Sequence, residues 1–181
     1  MSAPNHSGEA ITILKVQPRE ERGIILTSTS EGPDGKLDDR HSAYHDNLSP
    51  PLHWNEVEGA AAYALVVEDP DAPRTHPFVH WMIWNIPGQA RSLPEGLANT
   101  PRLTTPHNAV QGRNDNGSHG WYGPRPPVGH GVHRYYFQMF ALDQILDMGP
   151  DTTLPELLNA LKGNTLAQGE MVATYEAPLP Q

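Results

Sequence analysis

The chain has 181 residues and no cysteine, so it has the length of one domain and excludes disulfide bonds, cysteine nucleophiles and cysteine-ligated zinc. Its formal net charge of -9 argues against nucleic acid or an anionic membrane surface as a partner. No apolar run is long enough to cross a bilayer, and the first ten residues lack the pattern of a signal peptide. We therefore expect a cytoplasmic protein with a flexible N-terminus over 1–10 and a single domain over 11–181.

Proline and glycine separate short apolar runs along the chain, a pattern typical of strands joined by turns. Strands are predicted, in chain order, over 11–16, 23–28, 63–68, 78–86, 132–142 and 170–175, with an extended segment over 48–54. Residues 88–131 are predicted to be mostly irregular, and a loop of that length usually has a function or covers another part of the fold. These elements indicate a mainly β fold.

One clear helix is predicted over 152–163. Thr153 and Glu156 have the spacing of a capping box, Pro155 falls in the first turn, and Gly163 can end the helix. The leucines at positions 154, 157, 158 and 161 form a single apolar stripe, which is typical of a helix with one buried face.

Two histidines begin strands that are otherwise apolar on the same face. Alternate residues of a strand share a face, which groups His133 with Tyr135 on one strand and His80 with Met82 and Trp84 on another. If the two strands are neighbours, both imidazoles and the tyrosine hydroxyl converge at one end of a core. The alternative is that each ring is satisfied by a backbone carbonyl. The other histidines considered lie on predicted loops, where solvated rings are the default: His41, His45, His107, His119 and His130.

The segment Asp69-Pro-Asp-Ala-Pro73 carries two carboxylates directly after a strand with a buried pattern. Because proline fixes the backbone angle φ, this turn is more rigid than an ordinary one. The carboxylates either cap neighbouring backbone N–H groups or belong to a functional site.

Four segments, in this order, resemble motifs of the phosphatidylethanolamine-binding protein family, in its bacterial and archaeal, Raf-kinase-inhibitor-like branch. They are Ser49-Pro-Pro-Leu-His-Trp54, Val67-Glu-Asp-Pro-Asp-Ala-Pro73, the strand containing His80, and His133-Arg-Tyr135 with Ala141-Leu-Asp143. The similarity runs from about Leu26 to Tyr175. It implies a large central β-sheet flanked by a smaller sheet and a few peripheral helices.

The resemblance also implies an anion pocket at one edge of the sheet. Its walls would combine acidic, imidazole and phenol groups with the start of a proline-rich loop, namely Asp69, Asp71, Pro73, His80, Gly123, Pro124, His133 and Tyr135. Arg125 departs from the family pattern, in which a small residue or cysteine often stands between the prolines. If it points inward, its guanidinium suits phosphate or carboxylate; if it points outward, it is an ordinary surface arginine.

The family has no accepted catalytic activity, so the resemblance implies a non-catalytic binder of a phosphate, a phosphoethanolamine-type head group or a carboxylate. We expect neither a cofactor nor a metal, and we expect phosphate affinity to rise as the pH falls through the histidine range near ~6.5. A homodimer and an unidentified protein partner are both compatible with the resemblance.

Two other functions remain open from the residues. One is a hydrolase or metal-assisted enzyme that uses the same histidines and aspartates, although no serine or cysteine nucleophile falls within the matched motifs. The other is a protease or kinase inhibitor that acts through its surface. The chain ends soon after Tyr175, without the extra C-terminal helix expected of animal members, so kinase inhibition is not carried over.

Overall fold

The computed structural model describes residues 10–180, which form eight strands and one α-helix. The strands are β1 (Leu26–Thr27), β2 (Leu52–Trp54), β3 (Ala62–Asp69), β4 (Phe78–Pro87), β5 (Ser92–Leu93), β6 (Val110–Gln111), β7 (His133–Leu142) and β8 (Thr165–Tyr175). The helix, α1, spans Leu154–Leu161, and two short 3-10 helices cover Thr12–Lys15 and Asp39–His41. The flexible segment predicted over 1–10 lies outside the described residues except for Ala10.

The strands form two antiparallel sheets. The larger sheet has the order β6-β4-β3-β7-β8 and the smaller one the order β1-β2-β5. All eight residues of β3 are buried, as expected for the middle strand of a sheet covered on both faces. The predicted mainly β fold with a large and a smaller sheet is confirmed.

Each face of the larger sheet covers its own apolar core. Trp81 packs on the face that the smaller sheet covers, together with Leu52 of β2. Trp84 packs on the opposite face, with Leu157 and Leu161 of α1. Within residues 10–180, no helix is long and apolar enough to cross a membrane.

The strand predicted over 11–16 is wrong, because residues 12–15 form a 3-10 helix. Both the backbone N–H and the hydroxyl of Thr12 donate to Glu68 Oε1, at 2.8 and 2.6 Å. The N–H of Ile13 donates to Gln138 Oε1 at 2.7 Å. Distant side chains therefore satisfy this backbone in place of a strand partner. The next predicted strand, over 23–28, is shortened to Leu26–Thr27.

The predicted helix cap is confirmed. The hydroxyl of Thr153 accepts from the N–H of Glu156, whose carboxylate in turn accepts from the N–H of Thr153. The helix is shorter than predicted, because only Leu154–Leu161 is helical. The last strand is longer than predicted, since it begins at Thr165 and pairs with β7 along its length.

Candidate ligand-binding site

One end of the larger sheet gathers the polar residues singled out by the sequence. β3 ends at Asp69, where β4 begins, and β7 begins at His133 on the other side of β3. The convergence of His80 and His133 was predicted on the condition that their strands are neighbours. The two strands are not neighbours, because β3 lies between them. The side chains still meet past the end of β3, where the rings of His80 and Tyr135 lie 5.1 Å apart.

A β-bulge in β4 directs the side chain of His80. Val67 of β3 pairs with Trp81, but the next residue, Glu68, pairs with Val79. His80 is therefore an extra residue without an opposite partner on β3. Bulges of this kind change the direction of a side chain and are common beside functional sites.

The bulge overturns one prediction from strand alternation. His80 lies against Tyr135 on one side of the sheet, whereas Met82 and Trp84 belong to the core on the opposite side. Grouping His80 with Met82 and Trp84 was therefore wrong, because strict alternation ends at the bulge.

A cavity of about 230 Å³ opens at this end of the sheet. Its polar wall consists of Asp69, His80, Asn116, Arg125, His133 and Tyr135. Its apolar wall consists of Ala72, Pro73, Phe78, Tyr122, Pro126 and Pro127. Sites for drug-sized molecules usually measure about 300–1,000 Å³, so this cavity suits a smaller group.

Larger clefts open elsewhere, with volumes of about 520 Å³ beside Lys36 and about 600 Å³ beside Gly88. Size alone does not mark the functional one. Within the described part of the chain, Tyr135 has a buried hydroxyl without a hydrogen-bond partner, and Tyr135 lines the smaller cavity. Neither these two clefts nor two others of about 270 and 390 Å³ are lined by a residue with such an atom.

A chain of hydrogen bonds leads from Asp69 towards the solvent. Oδ2 of Asp69 lies 2.7 Å from Nδ1 of His133, and Nε2 of His133 lies 2.5 Å from Nδ1 of His130. The side chains of Asp69 and His133 are only 4% and 2% exposed, whereas His130 is exposed. Burial raises the pKa of Asp69, although the hydrogen bond and charge of His133 oppose this effect.

His80 is held as a neutral ring with a defined tautomer. Its Nδ1 lies 2.5 Å from the carbonyl oxygen of Tyr122. A carbonyl only accepts, so Nδ1 carries the proton and Nε2 is the acceptor. Burial lowers the pKa of His80 to about 4, against the opposing effect of the Tyr122 carbonyl. The ring is therefore neutral near pH 7.

Tyr135 supplies a hydroxyl that stays protonated. Burial, together with the negative charges of Asp69 and Asp71, raises the pKa of Tyr135 far above its usual range. The hydroxyl is thus a permanent hydrogen-bond donor on a residue that lines the cavity.

Asp71 lies outside the cavity lining and pairs with Arg134. Its carboxylate accepts from the Arg134 backbone N–H at 2.8 Å and from Nε and Nη2 at 2.9 Å. Burial alone would raise the pKa of Asp71, but the hydrogen bonds and charge of Arg134 outweigh it and lower the pKa. The structure gives Asp71 the role of fixing the turn after β3 to the start of β7.

Gly123 and Pro124 also lie behind the lining, where they anchor the loop that forms one wall. A Cβ on Gly123 would lie 2.0 Å from the carbonyl oxygen of His41, so only glycine fits there. The N–H of Gly123 donates to Asn47 Oδ1 at 2.7 Å, and the carbonyl of Pro124 accepts from Ala43 at 2.9 Å. These contacts hold the residues on either side of them over the cavity.

Pro73 and Arg125 lie at the rim of the cavity. Arg125 is exposed yet lines the opening, and its guanidinium lies 5.5 Å from the centre of the Tyr44 ring. The hydroxyl of Tyr44 donates to the carbonyl of Pro126 at 2.6 Å, which fixes the same loop. Arg125 therefore takes a position between the two predicted orientations: it borders the opening of the cavity while its side chain stays exposed to solvent.

Sequence reasoning missed several members of the site. His130 is not simply a solvated loop histidine, since its ring contacts His133. His41, also predicted to be solvated, is fully buried, although it lies outside the cavity lining. Tyr122 supplies both the carbonyl that fixes His80 and a ring stacked on it at 5.9 Å. The spacing His130-x-x-His133 was the only sequence signal for His130. Among the described residues, no group of three or more histidine, aspartate or glutamate side chains is arranged to hold a metal ion.

Comparison with known proteins agrees with the observed fold. The chain matches the phosphatidylethanolamine-binding protein family over residues 27–176. It belongs to this family. Among the relatives of this family member is a UPF0098 protein of Methanothermobacter thermautotrophicus, 40% identical over 142 residues that cover 78% of this chain and 91% of the relative. A UPF0098 protein of Pyrococcus abyssi is 37% identical and is covered over 85% of its length.

Two crystal structures of family members have the same fold. YbcL of E. coli, described as a new member of the mammalian PEBP family, is 31% identical with a TM-score of 0.78. The match covers 87% of this chain and all of YbcL. The PEBP homolog CT736 of Chlamydia trachomatis is 32% identical with a TM-score of 0.76, and the match covers 86% of this chain and 99% of CT736. These matches place the protein in the bacterial and archaeal part of the family.

Proposed function

We propose that the cavity beside Asp69 binds a small ligand with a phosphate or carboxylate group, either free or as part of a zwitterion such as phosphoethanolamine, and does not convert it. The hydroxyl of Tyr135 carries this proposal. It is buried, protonated and without a hydrogen-bond partner, and Tyr135 is one of the residues that line the open cavity. A buried unsatisfied polar group costs about 1–3 kcal/mol, a cost that a ligand oxygen would remove.

The remaining polar groups of the cavity call for a ligand with both acceptors and donors. Tyr135 donates, and Arg125 places a positive charge at the rim. His80 Nε2 and Asp69 are acceptors, which suit an ammonium group or the O–H of a protonated phosphate. A zwitterion satisfies both sets, as does a phosphate monoanion.

The neutral state of His80 changes the physical basis of the expected pH dependence. Because its pKa is about 4, this ring does not titrate near pH 6.5. The second ionisation of a phosphate monoester has a pKa of about 6, so its monoanion, with one O–H, becomes abundant in that range. We therefore still expect phosphate affinity to rise as the pH falls from 8 to 6, with protonation of the ligand as one cause.

Two observations favour binding over catalysis. None of the described residues that line the cavity is a serine, threonine or lysine. The phenol of Tyr135 is also too weak an acid to form a nucleophile.

The direct test is titration of the protein with phosphoethanolamine at pH 6 and pH 8, followed by the NMR signals of the histidine rings. We expect saturable shifts of His80 and His133 that weaken in Tyr135→Phe. The exposed His53 of the smaller sheet should not respond, and His53→Ala serves as the matched control. Shifts that do not saturate, or equal binding by Tyr135→Phe, would contradict the proposal. Release of inorganic phosphate from phosphoethanolamine during the titration would contradict the non-catalytic part.

A further inference from the structure

The loop that carries His130 is exposed and contains two glycines with positive φ angles. Residues 128–132, here called the His130 loop, are exposed except for the half-buried Gly131. Gly129 and Gly131 flank the histidine with φ angles of +81° and +88°, and a Cβ on either would meet nothing within 4 Å. The glycines are thus required by backbone conformation rather than by packing. The backbone N–H of His130 donates to the carbonyl of Pro127, the residue just before the loop, at 3.1 Å.

The ring of His130 contacts Nε2 of His133, the nitrogen that a ligand of His133 would need. His133 lines the cavity, and its Nδ1 is engaged by Asp69. Nε2 is the nitrogen left for a ligand, but Nδ1 of His130 lies 2.5 Å from it. Nε2 has either one proton or one lone pair, so it makes one full hydrogen bond. It cannot make that bond to His130 and to a ligand oxygen at the same time.

We propose that His130 is a displaceable partner of His133, which holds Nε2 while the cavity is empty and leaves it when an oxyanion that carries an O–H, such as a phosphate monoanion, binds. This regulation rests on the function proposed above for the same cavity. The exposed His130 side chain returns to water on release, where its ring nitrogens are hydrated. His133 stays in place because Asp69 still holds its other nitrogen. His130 therefore acts as a positioning residue that lowers the affinity for ligand.

The energetic consequence has a definite sign. Each binding event has to break the contact between His130 and His133, and one neutral hydrogen bond has a modest net strength. Removing His130 should therefore tighten binding of an oxyanion by about threefold to tenfold. If His130 instead remained in place and added a donor for the ligand, its removal would weaken binding.

The experiment is calorimetric titration of four forms of the full chain with inorganic phosphate and, separately, with phosphoethanolamine. The forms are the wild type, His130→Ala, His130→Phe and the control His53→Ala. We expect tighter binding in both His130 variants, because phenylalanine keeps the ring but has no nitrogen to engage Nε2. Equal or weaker binding in both variants, with an unchanged His53→Ala, would overturn the proposal. A gain with phosphoethanolamine alone would assign the effect to the head group, and a gain with both to the shared phosphate.

A measurement without ligand separates this proposal from the proposed function. The ring ¹⁵N shifts of His133 report whether Nε2 is hydrogen-bonded, and they should change in His130→Ala and not in His53→Ala. No change would overturn the role of His130 whatever the cavity binds. If this shift does change but the wild type and both variants bind neither phosphate nor phosphoethanolamine, the proposed function fails, and with it the displacement by an oxyanion.

Discussion

Glu68 and Asp69 are consecutive residues at the end of β3, and both are buried. They face opposite sides of the sheet and have opposite surroundings. Oε1 of Glu68 accepts from the N–H and hydroxyl of Thr12 and from Nε2 of Gln138, at 2.8, 2.6 and 2.9 Å. All of these donors belong to the chain itself and join the N-terminal segment to the sheet.

Asp69 belongs to a hydrogen-bond network that extends to the protein surface and borders the cavity. Its hydrogen bond to His133 continues to the exposed His130, and the adjoining cavity is lined by Tyr135, whose buried hydroxyl has no hydrogen-bond partner. The comparison shows how one strand end serves two purposes. A buried carboxylate surrounded by donors of its own chain stabilises the fold. A buried carboxylate beside a cavity that is lined by a residue with an unpaired hydroxyl is suited to a ligand.

The largest effect that we expect is on stability, at Glu68. Glu68→Ala leaves the N–H and the hydroxyl of Thr12 without their acceptor, at about 1–3 kcal/mol for each group. The amide of Gln138, in contrast, keeps the carbonyl of Val66 at 3.3 Å. The free energy of unfolding should fall by about 4 kcal/mol, measured by urea denaturation. Phosphate affinity should stay unchanged, since the cavity lies on the other side of the sheet. The exposed Glu58→Ala is the control, and a comparable loss there, or a loss of affinity in Glu68→Ala, would contradict the comparison.

The second effect concerns pH and the Asp69 side of the sheet. Burial places the folded-state pKa of His80 at about 4, below the usual value of 6.5, so the unfolded chain binds the proton more tightly. The stability associated with the neutral ring is present above pH 6.5 and is lost as the pH falls towards 4, by about 3 kcal/mol. Asparagine in place of His80 keeps a donor for the Tyr122 carbonyl but does not titrate. Urea denaturation at pH 7 and pH 4 should therefore show a smaller acid loss in His80→Asn than in the wild type, whereas an equal loss would place the sensitivity elsewhere.

The third effect concerns Tyr135, where one substitution should change the phosphate affinity without lowering the free energy of unfolding. Tyr135→Phe removes a buried hydroxyl that has no partner, so the free energy of unfolding should stay constant or rise by about 1 kcal/mol. Phosphate affinity should fall by about tenfold, because the ligand loses a donor. Tyr63→Phe is the opposite case, since the Tyr63 hydroxyl accepts from the N–H of Val57 in the core at 3.3 Å. It should lose some stability and no affinity, and the reverse pattern in either variant would refute the assignment.

The main strands were predictable from the sequence because local pattern determines them. The strands predicted over 63–68, 78–86 and 132–142 correspond to Ala62–Asp69, Phe78–Pro87 and His133–Leu142. The N-terminal 3-10 helix was not predictable in this way. Its β-branched residues favour a strand, and the acceptors that replace a strand partner are Glu68 and Gln138, far along the chain.

The residue types at the candidate site were also predictable, but their orientation was not. His80 turns towards Tyr135 because of a bulge, and a bulge depends on how two strands pair rather than on the sequence of one. The partner of Asp71 is Arg134, which is adjacent to His133 and has no local signal for this contact. His130 meets His133 because two glycines with positive φ turn the loop back on itself.

The smallest effect that we expect is at Arg125. It tests whether the ligand-binding role of the cavity on the Asp69 side of the sheet extends to the rim of that cavity. The side chain is exposed and stacked on Tyr44, so its charge acts on the ligand through solvent. Arg125→Ala should weaken phosphate binding by about twofold to threefold at low salt, and the difference should vanish at about 1 M salt. The exposed Arg102→Ala changes the net charge equally but lies outside the cavity lining, so it should have no effect. A loss of affinity in Arg125→Ala that persisted at high salt would instead mean that the guanidinium bonds directly to the ligand within the cavity.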